Sequence, residues 1–73
     1  MSKKNFYFSA KIQQEHVNTI RQMAIDIGVP EKNIVLKTEG CELLYMGIYI
    51  KFTNKKSYKS FKDLQLPGIV ELW

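Results

Sequence analysis

Seventy-three residues, 45% of them hydrophobic and 25% charged, supply one hydrophobic core and not two, and that balance excludes disordered and low-complexity classes. A single cysteine, Cys41, and a single histidine, His16, exclude an intramolecular disulfide framework and a four-ligand Cys/His zinc site within one chain. No stretch approaches the ~20 apolar residues of a membrane span, and the net charge is +4, so a small basic cytoplasmic protein with no membrane partner is expected.

The first segment, Lys4 to Ile12, alternates with period two. Phe6, Phe8, Ala10 and Ile12 fall on one side and Asn5, Tyr7, Ser9 and Lys11 on the other, which predicts a strand. From Gln13 the period changes. Val17, Ile20, Met23, Ala24 and Ile27 recur at three- and four-residue spacing and predict a helix that Gly28 stops, with Pro30 two positions later. Residues 33–38 are rich in β-formers and predict a short second strand, which Glu39-Gly40 turns back as a hairpin.

The third predicted strand runs from Glu42 to Phe52. Leu44, Met46, Ile48, Ile50 and Phe52 form an apolar face, and Tyr45, Gly47, Tyr49 and Lys51 form the other. Thr53 or Asn54 caps a second helix, in which Tyr58, Phe61 and Leu64 return at three-residue spacing through Gln65. Leu66-Pro67-Gly68 predicts a turn, and residues 69–73 a final edge strand. The order strand, helix, strand, strand, helix, strand is the split βαβ, or ferredoxin-like, arrangement. It predicts an α+β domain spanning residues 1–73, with a four-stranded antiparallel sheet, strands one and three central, and both helices on one face.

That arrangement leaves Tyr7, Tyr45, Tyr49, Lys11 and Lys51 on an uncovered sheet face. Here the chain resembles an RNA recognition motif over the whole βαββαβ order. Phe6-Tyr7-Phe8 is similar to that family's short motif on strand one, with Tyr7 at its exposed aromatic position. Tyr49-Ile50-Lys51-Phe52 is similar to the end of its longer motif, with Tyr49 at the second exposed aromatic position and Phe52 in the core. The longer motif's basic-Gly opening falls on Tyr45-Met46, its first exposed aromatic on Gly47, and its small residue on Ile48. The resemblance implies stacking of bases on Tyr7 and Tyr49, with Lys11 and Lys51 neutralising phosphates. The residues by themselves also fit two other readings: cross-strand aromatic pairs on a half-exposed sheet, or a patch covered by a second copy of the chain.

Charge is unevenly placed. Residues 1–12 carry Lys3, Lys4 and Lys11 with no acid, residues 13–50 carry three cations against five acids, and residues 51–62 carry five lysines with no acid. Lys55, Lys56, Lys59 and Lys62 lie together on the outer side of the second helix, on the opposite side of the sheet from the tyrosines. Such a stripe suits an acidic protein groove or a phosphate backbone.

Chemistry is not prominent. His16 has Glu15 beside it and Cys41 on a distant turn, the seven acids are scattered, and the four glycines stand singly. No nucleophile–base pair, metal cluster or phosphate-cradling loop emerges, so no enzyme, metal or cofactor is expected. The expected function is a binding module, with single-stranded nucleic acid, RNA foremost, as the leading partner. The alternatives are a protein-binding inhibitor or adaptor, such as a small viral or accessory protein that acts on a larger complex through the lysine helix or a sheet edge, and a homodimerisation module.

Overall fold

A computed structural model describes residues 5–38 and 44–73. Six principal elements follow in chain order: β1 (Phe6–Gln13), α1 (Val17–Ile27), β2 (Ile34–Lys37), β3 (Tyr45–Phe52), α2 (Lys55–Asp63) and β4 (Ile69–Leu72). Single 3₁₀ turns at Gln14–His16 and Glu31–Asn33 lead into α1 and β2. The strands form one antiparallel sheet in the order β2-β3-β1-β4, a layout consistent with the ferredoxin-like arrangement. The Glu39-Gly40 turn, Cys41, the first two residues of the predicted third strand, and Lys3 and Lys4 lie outside the described residues.

The apolar alternation of β1 and β3 lays one sheet face under both helices. Phe8, Ala10 and Ile12 from β1 and Ile48, Ile50 and Phe52 from β3 are buried with Val17, Ile20 and Ala24 of α1 and Phe61 of α2. Aromatic contacts fix α2 to the sheet. The Phe61 ring meets Phe8 edge-on at 5.0 Å and Phe52 at 5.4 Å, while Tyr58 stacks on Phe6 at 5.3 Å. Gly28 ends α1 in the left-handed region (φ 112°), where its N–H reaches the carbonyls of Ala24 and Ile25. Of the two predicted caps for α2, Asn54 is the one used: its side-chain oxygen accepts from the N–H groups of Lys56 (2.7 Å) and Ser57 (3.3 Å).

Three boundaries differ from those predicted, each for a backbone reason. Gln13 stays in β1, and α1 begins only at Val17, because the Gln13 N–H donates to the Gly68 carbonyl (3.0 Å) and the Gln14 N–H to the Leu44 carbonyl (2.9 Å). Leu44 is not part of the apolar face of β3. It precedes the first paired residue, Tyr45, and is 73% exposed. Leu64 likewise does not join the core, since α2 ends at Asp63 and Leu64 takes an extended conformation (ψ 150°) that leaves it exposed.

A fourth feature lies in β4. Its pairing with β1 runs Ala10 to Leu72 and Lys11 to Glu71, then shifts so that Ile12 meets Ile69. Val70 is thereby the extra residue of a β-bulge, and inward–outward alternation reverses across it. Ile69 packs on the core, whereas Glu71 lies on the open face opposite Lys11.

Candidate nucleic-acid interface

The open face is built by the outward residues of four strands. Register places Tyr7 opposite Lys51, Ser9 opposite Tyr49, Lys11 opposite Gly47 and Gln13 opposite Tyr45 on the central pair. On the flank, Val35 lies opposite Tyr49 and Lys37 opposite Gly47. All five residues singled out from the sequence, Tyr7, Tyr45, Tyr49, Lys11 and Lys51, therefore share this face, but they divide between its two ends. Tyr7 and Tyr49 are diagonal neighbours. With Lys32, Asn33, Val35 and Lys51 they line a shallow recess of about 250 Å³. Tyr45 is at the other end, and the Lys11 ammonium sits 4.9 Å from the centre of its ring.

Exposure separates the rings further. Tyr7 is 62% exposed and Tyr49 36%, whereas Tyr45 is half-buried. The Lys37 ammonium lies 5.3 Å from the centre of the Tyr49 ring, a cation–π contact that holds positive charge beside the recess. Neither Lys11, Lys37 nor Lys51 is in an ion pair among the described residues. Their charges are thus not spent on acidic neighbours within the described chain.

Sequence reading passed over Trp73. Its backbone N–H continues the β1–β4 ladder by donating to the Ser9 carbonyl (2.9 Å), and its indole crosses the open face to reach β3. A methyl group placed on Gly47 would lie 3.0 Å from the indole Cζ3 and 3.1 Å from Cη2, so the ring rests directly on the glycine backbone. The same ring is tilted against Tyr49 with centroids 5.7 Å apart, and its Nε1–H donates to Glu71 (2.7 Å). Plain alternation from Ile69 would carry Trp73 to the core side, and only the bulge turns it outward. Lys37 was also missed: it is legible only once the register of the edge strand is known.

The lysine stripe takes the other side. Lys55, Lys56, Lys59 and Lys62 are all exposed on α2, and the Lys62 ammonium covers the Tyr58 ring at 5.1 Å. The stripe and the tyrosine face are separated by the sheet, as the sequence pattern predicts. His16 packs its ring against the backbone of Gly68 and lies half-buried, 3.8 Å from the exposed Glu15. Among the described residues, no three His, Cys, Asp or Glu side chains gather as a metal-binding group, and no helix is long and apolar enough to cross a membrane. Comparison of the chain with protein-family models, curated proteins and solved structures gives no match.

Proposed function

We propose that the protein is a non-enzymatic binding module for single-stranded nucleic acid, RNA foremost, and that the open sheet face is its contact surface. One observation carries this reading: the recess that Tyr7 and Tyr49 line together with Lys32 and Lys51, with the Lys37 ammonium against the Tyr49 ring. A flat aromatic surface accepts the face of any unstacked base, and each such contact contributes ~1–3 kcal/mol. Nearby lysines add counterion release, which is indifferent to base identity. The partial similarity to the RNA recognition motif agrees with this assignment at Tyr7 and Tyr49. The expected behaviour is broad sequence tolerance and strong dependence on salt.

Fluorescence anisotropy of labelled single strands at low and moderate salt tests the reading. Binding that weakens with salt, and weakens again by roughly tenfold or more in the Tyr7→Ala plus Tyr49→Ala variant, supports it. No binding, or binding indifferent to both tyrosines, ends it.

A second reading has its own observation. Phe6 and Tyr58 line a recess of about 350 Å³ with Lys55, Lys59, Lys62 and Asp63, which combines an apolar floor with a rim of three lysines and one acid and suits an acidic, partly apolar protein segment. In that reading the protein is an inhibitor or adaptor acting through α2. Charge reversal at Lys56 and Lys59 that leaves capture of a partner protein intact counts against it.

A further inference from the structure

We propose that Trp73 is a stacking surface of the same open face, standing where the absence of a side chain at Gly47 leaves room for it, and that a bound strand runs with its phosphates over β2 and β3 and its bases toward β4. This inference rests on the nucleic-acid reading above and adds to it a residue and a direction.

The indole is already held in place. Its underside rests on Gly47, one edge meets Tyr49, Nε1–H donates to Glu71 at 2.7 Å, and its own backbone is tied to Ser9. It nevertheless remains 52% exposed. A large aromatic ring that is ordered from below and open above loses little rotamer freedom when a base settles on it, so more of the stacking energy appears as affinity. Gly47 and Ser9 are the small residues at the centre of the face, and they leave the lane that the indole crosses. The rings then follow one another from Tyr7 on β1 to Tyr49 on β3 and on to the Trp73 indole, which reaches from β4 across β1 to Gly47 of β3.

Direction follows from charge. Lys32, Lys37 and Lys51 gather on the β2–β3 flank, while on the β4 side Glu71 places a carboxylate within hydrogen-bonding distance of the indole and opposite Lys11, so that the charges of that side offset each other. A phosphate is attracted to the first flank and gains no net attraction on the second. Bases carry no formal charge and are the part of the strand that tolerates Glu71.

Trp73 is the single tryptophan of the chain, so its emission reports on this site alone. Titration with an unlabelled short oligouridylate is expected to quench that emission with the same midpoint as binding followed by anisotropy of a labelled strand. Trp73→Ala is expected to weaken binding roughly 5- to 150-fold, with Trp73→Phe recovering part of the loss. Circular dichroism of both variants checks that the fold is intact. Glu71→Gln keeps an acceptor for the indole and removes the charge, and is expected to bind at least as tightly as the parent chain. Lys37→Ala with Lys51→Ala is expected to bind more weakly and with a shallower salt dependence. Absence of any strand binding by the parent chain overturns both readings. Binding with unquenched emission, or Trp73→Ala binding as tightly as or more tightly than the parent, overturns the role of Trp73 alone. Weaker binding by Glu71→Gln overturns the proposed direction.

Discussion

A methyl group at Gly68 would lie 2.5 Å from the Cδ2 of His16, and the backbone there is left-handed, with φ at 75°. Both facts oppose a side chain, and they are separable. Gly68→Ala is expected to destabilise the protein by about 1–3 kcal/mol in chemical denaturation, and His16→Ala in the same background is expected to recover only the part due to the imidazole ring, since the His16 Cβ at 2.9 Å and the backbone strain both remain. Gly47 contrasts with it. Its φ is ordinary, and the obstacle is the edge of a half-exposed indole, so Gly47→Ala is expected to move Trp73 and change its emission with little loss of stability. Asn54→Ala removes an acceptor from two amides at the start of α2, with an expected cost of about 1 kcal/mol.

At the scale of elements, α2 depends on one buried residue. Phe61 is its single fully buried side chain and touches Phe8 and Phe52, so truncation opens a cavity between helix and sheet. Phe61→Ala is expected to cost about 3–5 kcal/mol, much of the total stability of a chain this short, and to bring the melting transition close to ambient temperature. Charge reversal on the outer lysines of the same helix removes no packing and is expected to leave the transition nearly unchanged. In β4 the outward facing of Glu71 and Trp73, which the bulge produces, is the feature that matters. Removing Val70 from the chain joins Ile69 to Glu71 in an unbroken ladder with the same facings, so Trp73 emission is expected to keep its wavelength. A shift toward the emission of fully solvated tryptophan in that variant would mean that the bulge itself, and not only the facing it produces, holds the indole over Gly47.

At the scale of the molecule, two basic surfaces lie on opposite sides of one sheet, and they make different salt predictions. If Lys32, Lys37 and Lys51 neutralise three phosphates of a single strand, the logarithm of affinity falls against the logarithm of salt with a slope of about −2. Lys56→Glu with Lys59→Glu is expected to leave that slope nearly unchanged, since those side chains point away from the open face; a slope cut by half would place the strand on α2 instead.

Much of this fold was legible from periodicity. Phe6, Phe8, Ala10 and Ile12 at period two, and Val17, Ile20 and Ala24 at helical spacing, sort themselves by burial whatever the rest of the chain does, because apolar surface leaves water in any compact state. The same alternation placed Tyr7, Tyr45, Tyr49, Lys11 and Lys51 on one face. Leu44 and Leu64 fit the same patterns and are exposed: Leu44 because β3 begins only where its partners on β1, distant in sequence, begin, and Leu64 because the backbone turns extended after Asp63.

The amino-acid order by itself determined which side of β1 and β3 is core and which is open, since side-chain direction in a strand is local geometry. Only the tertiary structure decided what stands on the open side at Gly47. The bulge at Val70 reverses the alternation of β4, and pairing with Ser9 brings a residue 26 positions beyond Gly47 across the sheet to fill the gap. A bulge is a property of how two strands pair, set by long-range hydrogen bonds and packing, and no local pattern in residues 69–73 carries it.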